Sequence, residues 1–226
     1  LFFGILLVSL GYGWLTLTGS VVRGVARTAP FSPWSFGYYL SQALPLICLG
    51  ELFFLAFFFS REERLLRPLT QATPIRQRRY AALRCGAVLT ATLVLCLCTA
   101  TLAVGFYVSL FGWVDYGELI LPALLTLIPP IVFCLGAGMM LSRFNHTLIY
   151  ALMAAVILLT VLPLPPAISF SLSGFFSQFP LTVEKLDPAF HVPGWLAIHQ
   201  ISLTVLGAFL AVFAVNVQRN SSCQTM

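Results

Sequence analysis

Glu51 is the residue whose type and position most directly suggest chemistry, because it is the sole acidic residue inside a long apolar segment. It precedes Arg61 by ten residues, which in a helix places it about 15 Å deep, near the bilayer centre. A charge there costs about 2.5–3.5 kcal/mol on insertion scales. We expect Glu51 to face an inner cavity or a subunit interface and to bond hydroxyls of the third apolar segment: Thr90, Thr92, Thr99 and Thr101. The alternative is a neutral carboxyl that is hydrogen-bonded within the helix bundle and has no functional role.

A second acidic group is the pair Glu62 and Glu63, which with Arg67 has the EExxxR spacing of CAAX-type membrane proteases. Those enzymes also need histidines in the patterns FxxxH and HxxxN. Neither pattern occurs at any of the three histidines, nor do these share a metal-ligand spacing: His146, His191 and His199. We therefore expect no catalytic residue, no metal site and no enzyme activity in this chain.

The six cysteines give no sign of a disulfide framework, since no CxxC pair occurs and none lies in a predicted outer loop. Four of them fall inside apolar segments. Cysteine in such positions is a small, polarisable packing residue. We expect that role in a reducing interior for Cys48, Cys85, Cys96, Cys98, Cys134 and Cys223.

The composition indicates which elements position these residues. Of 226 residues, 59% are hydrophobic and 8% charged, and the mean hydropathy is +0.96. A soluble domain carries about a quarter charged residues, so a soluble domain and a nucleic-acid binder are both excluded. The sequence predicts a single all-α integral membrane domain with six transmembrane helices, at about 1–20, 38–60, 82–111, 119–142, 147–165 and 196–217. Because the chain opens in apolar sequence at Leu1, we expect the natural protein to begin upstream.

Arginine placement predicts the orientation. Residues 61–84 hold seven arginines and two glutamates, and such an excess marks a cytoplasmic loop. Alternation then puts both termini on the cytoplasmic side and residues 166–195 outside. Arg23 and Arg27 disagree, since they fall in the first outer loop.

Residue size and proline content predict how the spans pack. The third span is rich in small and hydroxylated residues, so we expect it inside the bundle. The fourth contains three prolines and is expected to be kinked and central. Residues 166–195 read as one or two short helices at the outer interface, and an aromatic belt is expected from Trp34, Trp113 and Trp195.

The loop at 60–82 has an amphipathic pattern on either side of a corner. An acid-rich turn and several leucines precede Thr73-Pro74, and a basic helix follows. Pro74 suits a first helical turn with Thr73 as its cap.

This loop resembles that of type 2 ATP-binding-cassette (ABC) transporter permeases, mostly bacterial exporters. That family has six spans and, after the second, a charged loop with the pattern R-E-x…L-L-x-x-x-P-x-x-x-x-x-Y/F. The matching residues run from Arg61 to Tyr80, although Arg64-Leu65 replaces the Gly-Thr often found after the acidic pair. The long segment between spans five and six is similar too. The family's interfacial helix before the first span has no counterpart from Leu1 onward, which is consistent with the expected start upstream.

The resemblance implies that the 60–80 loop is a coupling element that docks on a separate ATPase. Docking by apolar residues with arginines at the rim is physically reasonable, and the expected contacts are Leu66, Leu69, Thr73, Pro74, Ile75 and Arg76. The alternative is that the arginines only anchor the loop to anionic headgroups. A phosphate-binding loop needs GxxxxGK[ST], and the single lysine, Lys185, is not in one. ATP and Mg²⁺ are therefore expected on the partner, and no cofactor in this chain.

The function expected from these features is that of a permease subunit in a bacterial inner membrane. It pairs with itself or a similar chain and with ABC ATPase subunits. The outer cavity that we predict is aromatic and apolar, which favours export of an amphipathic, lipid-like or peptide substrate. An ion-coupled secondary carrier that uses Glu51 is the main alternative, and a non-transporting membrane scaffold is a lesser one.

Overall fold

The computed structural model describes residues 2–58, 77–145, 147–162, 169–183 and 187–223, and this part of the chain contains helices and loops but no strand. The expected coupling loop lies almost entirely outside these residues. The α-helices are α1 (Phe2–Gly19), α2 (Pro33–Phe58), α3 (Gln77–Phe111), α4 (Gly117–Phe144), α5 (Thr147–Val161), α6 (Ser173–Thr182) and α7 (Gly194–Cys223).

Five of these helices, α1, α2, α3, α4 and α7, are long and apolar enough to cross a membrane. The predicted all-helical, multi-pass character is thus confirmed. The expected fifth span corresponds to α5, whose 15 residues are fewer than the roughly 20 that a bilayer requires. Residues 163–168, which would complete it, are outside the described part, so a sixth span stays a prediction.

Three loops lie on the same side of the bundle. The rings of Phe31 and Phe111 are 5.8 Å apart, which joins the α1–α2 loop to the α3–α4 loop. The backbone N–H of Ala29 donates to a carboxylate oxygen of Asp187 at 3.3 Å, which joins it to the segment before α7. The loop that contains Arg23 and Arg27 therefore lies beside the other two loops, while the alternation of all the loops across the membrane stays a prediction.

Helices α2 and α4 form the centre of the bundle. Within their spanning windows 67% and 56% of residues are buried, against 33% for α3. The expectation that the third span lies inside the bundle is wrong: α3 packs on α1 and α2 with one face, and Leu93 and Leu97 on it are more than half exposed. Its threonine hydroxyls bond to its own backbone, so a hydroxyl-rich span needs no interior position.

Helix α4 is central, as expected, and continues from Gly117 to Phe144 through Pro122, Pro129 and Pro130. It packs most extensively against α7, where Gly136 meets Gly207. A Cβ on Gly207 would lie 2.6 Å from backbone atoms of Phe133. Small residues thus bring the two backbones together, as membrane helices require.

Between α5 and α7 the described residues, 162, 169–183 and 187–193, contain one short helix, α6, as expected for this region, and α6 packs against α2. Trp34 is fully buried there, and its indole N–H donates to the Pro188 carbonyl at 2.8 Å. The assignment of Trp34 to an exposed aromatic belt is therefore wrong. Its place near the membrane edge was expected, but the ring packs against Phe175 and Phe190 instead of lipid.

Candidate functional site

Glu51 lies on α2, seven residues before the last residue of that helix, Phe58, and is fully buried. Helix α2 contacts α1, α3, α4, α5 and α6. The acidic side chain of Glu51 is therefore surrounded by protein, as expected because exposing a charged group to lipid costs free energy.

The hydrogen bonds expected between Glu51 and the threonines of α3 are absent. The hydroxyls of Thr92 and Thr99 are buried but donate to the carbonyls of Val88 and Leu95, four residues earlier, at 3.0 and 2.8 Å. Thr90 and Thr101 are exposed and bond to their own helix in the same way. In any helix, a threonine hydroxyl can donate a hydrogen bond to the backbone carbonyl four residues earlier. These hydroxyls therefore have partners without the Glu51 carboxyl.

Neither carboxylate oxygen of Glu51 has a hydrogen-bond partner among the residues that the structure describes. Its neighbours are instead the thiols of Cys48 and Cys134. The two Sγ atoms and one Glu51 oxygen all lie within 4.8 Å of one another, and all three side chains are buried. Both cysteines are free of disulfides. The chain thus gathers one carboxyl and two thiols between α2 and α4.

This group was missed from the sequence because Cys134 belongs to a different helix, and no rule of spacing links it to α2. One signal was available. Cys48 and Glu51 are three residues apart, which places them on one face of a helix. A search for CxxC pairs and for histidine spacings does not find a cysteine and a glutamate that lie three residues apart.

Two buried tyrosines, Tyr39 on α2 and Tyr107 on α3, lie elsewhere on the helices around Glu51. The Tyr39 hydroxyl donates to the backbone carbonyl of Thr99 at 3.0 Å and so ties α2 to α3. The Tyr107 hydroxyl is buried without a partner in the described residues. The side chains of Thr126 on α4 and Gln200 on α7 are also buried without a hydrogen-bond partner in the described residues.

The residues expected to dock on an ATPase all lie outside the described part of the chain: Leu66, Leu69, Thr73, Pro74, Ile75 and Arg76. Helix α2 leads into this segment and α3 follows it. Docking at these positions remains a prediction of the sequence.

Aromatic side chains fill the loop side of the bundle. Phe175 and Phe176 on α6 are fully buried around Trp34, and the Phe176 ring occupies the space that a Cβ on Gly37 would take. The aromatic, apolar outer region expected from the sequence therefore contains a packed cluster that holds α6 on α2.

Comparisons of this chain with protein-family models, curated proteins and solved structures find no match. What the arrangement can do is accordingly judged from its own chemistry. A carboxyl and two thiols inside a membrane bundle can bind a cation or carry protons, and a helix that contacts most of the others can transmit movement.

Proposed function

We propose that this chain is the permease subunit of an ATP-driven ABC transporter in a bacterial inner membrane, with both termini cytoplasmic. Two such chains form a path for export of an amphipathic, lipid-like or peptide molecule. Separate ATPase subunits bind ATP and Mg²⁺ and dock on residues 60–80.

The observation that carries this proposal is the position of α2. This helix runs directly into the charged segment 59–76 and contacts five of the six other described helices. A force applied at that segment therefore reaches the centre of the bundle through a single rigid element. Rigid helices with alternative packings are the usual means of coupling distant sites.

The exposed surfaces of the outermost spans support a path between two chains. Only 22% and 17% of the residues in the spanning windows of α1 and α7 are buried. Single transmembrane units of this size enclose little volume. A second copy or a similar chain can cover part of this apolar surface, and lipid covers the rest.

Copurification from native membranes tests the docking. We expect the tagged chain to retain an ATPase subunit, and Pro74→Asp and Arg76→Asp to lose it, because each places a negative charge in the apolar corner. Arg79→Asp is the matched control for Arg76→Asp, since it makes the same charge change beyond the corner. Retention of the ATPase by all three variants would refute docking at this corner.

A second candidate, an ion-coupled carrier, is favoured by the burial of Glu51 with both oxygens unpartnered in the described structure. Buried ionisable groups in membranes commonly belong to ion or proton pathways. The energy source separates the two candidates. Transport by the permease stops when ATP is depleted and continues after a protonophore, whereas an ion-coupled carrier shows the opposite response.

A further inference from the structure

The group of Cys48, Glu51 and Cys134 has the composition and the spacing of a metal site. Its three ligand atoms lie within 4.8 Å of one another. A tetrahedral Zn²⁺ with Zn–S bonds of about 2.3 Å separates its sulfur ligands by about 3.8 Å. Small side-chain adjustments therefore bring all three atoms into a first coordination shell.

The fold holds these ligands on two rigid elements. Cys48 and Glu51 share a face of α2, and α4 supplies Cys134 from the opposite side. A Cβ on Gly138 would meet the side chains of Leu52 and Leu55 at 3.0 and 2.8 Å. The absence of a side chain at this glycine thus lets α4 approach α2 about one turn from the ligands.

The Glu51 carboxyl is an independent indication of a ligand. It is fully buried, and both its oxygens lack a hydrogen-bond partner within the described residues. Buried polar groups are almost always satisfied, and an exception needs an explanation, of which ion binding is one. A cation between the carboxyl and the thiols satisfies it.

We propose that Cys48, Glu51 and Cys134 bind one Zn²⁺ within the membrane domain. Mixed sulfur and oxygen donors suit zinc, whereas Cu(I) prefers sulfur alone and Mg²⁺ or Ca²⁺ prefers oxygen alone. Two thiolates balance the charge of the dication, which keeps its burial tolerable. The second Glu51 oxygen or an incoming group takes the fourth position.

Binding exchanges protons for the ion. Each cysteine coordinates as a thiolate, so both thiol protons leave for solvent as Zn²⁺ enters. Without metal, a protonated Glu51 and two thiols form a neutral group. When Glu51 coordinates as a carboxylate its proton leaves as well, so three protons are exchanged for one Zn²⁺, and the site changes from neutral to one net negative charge.

Cobalt substitution tests the site without reference to transport. The full chain is purified in detergent, treated with a chelator and titrated with Co²⁺. We expect thiolate-to-cobalt charge-transfer bands and the intense visible bands of tetrahedral Co²⁺, saturating at one ion per chain and removed by Zn²⁺. Cys48→Ser and Cys134→Ser should each abolish most of the charge-transfer intensity, and Glu51→Gln should weaken Co²⁺ binding at least tenfold.

Cys98→Ser is the matched control, because Cys98 lies outside the group and should leave the spectrum unchanged. Thermal unfolding provides a second measurement if a serine variant folds poorly: Zn²⁺ should raise the midpoint of the wild-type chain and not that of Glu51→Gln. Absence of charge-transfer bands in the wild type, or their persistence in the Cys48→Ser/Cys134→Ser double variant, would overturn the proposal. ATPase copurification is independent of these spectra, so either proposal can fail alone.

Discussion

At the scale of single residues, the buried tyrosines Tyr39 and Tyr107 differ in what their hydroxyls contact. The Tyr39 hydroxyl bonds to the Thr99 carbonyl across two helices, whereas the Tyr107 hydroxyl has no partner in the described structure. The Tyr39 hydrogen bond stabilises the fold, whereas burial of the Tyr107 hydroxyl costs free energy that no hydrogen bond offsets.

We predict that Tyr39→Phe lowers the unfolding free energy by about 0.6–1.7 kcal/mol, the range of interhelical hydrogen bonds in membranes. Tyr107→Phe is its control and should leave stability unchanged or raise it. Unfolding of both variants in mixed micelles measures the difference. Equal losses in the two variants would show that the Tyr39 bond contributes nothing.

Glu51 gives a prediction in which stability and function change in opposite directions. With metal removed by a chelator, Glu51→Leu should stabilise the chain by about 1–3 kcal/mol, because it removes an unsatisfied buried polar group. Glu51→Gln keeps a polar group of the same size and should give no such gain. The measurement is the unfolding midpoint in detergent.

Transport should be lost in both Glu51 variants if the carboxyl serves function. Unchanged transport and unchanged assembly in both would instead assign Glu51 to the fold alone.

At the scale of the helices, the contact between α4 and α7 depends on glycine. Gly207 lies against the backbone of Val132 and Phe133, so any side chain there must separate the two helices. Gly105 on α3, by contrast, has nothing within 4 Å of a Cβ position.

We predict that Gly207→Ala destabilises the chain by about 1–3 kcal/mol, the usual cost of overpacking. Gly105→Ala should stabilise it by about 0.5–1 kcal/mol, because alanine restricts the unfolded chain more than glycine does. Denaturant unfolding of the two variants supplies the comparison. A Gly207→Ala variant as stable as Gly105→Ala would mean that the helices do not cross at this point.

At the scale of the whole molecule, hydropathy predicted the spanning helices because length and apolar content determine which segments a bilayer accepts. Neighbours across the bundle were not predictable in this way. The enrichment of tryptophan at membrane interfaces places Trp34 near the membrane edge, but it does not predict that α6 covers the ring. Likewise, the apolar surroundings of Glu51 were predicted, but its thiol partner Cys134 depends on which face of α4 meets α2.

In the function proposed here, the segment 60–80 connects this bundle to its source of energy. Its sequence supports docking on an ATPase, and its position after α2 gives a mechanical route to Glu51. The central claim is therefore that this segment contacts another protein chain rather than lipid.

Site-specific photocrosslinking in native membranes tests that claim most directly. A photoreactive residue replaces Ile75, and a control replaces Leu97, which is 63% exposed on the face of α3. We predict that the probe at Ile75 forms an adduct with an ATPase subunit, while the probe at Leu97 labels lipid. Labelling of lipid alone from both positions would contradict the account.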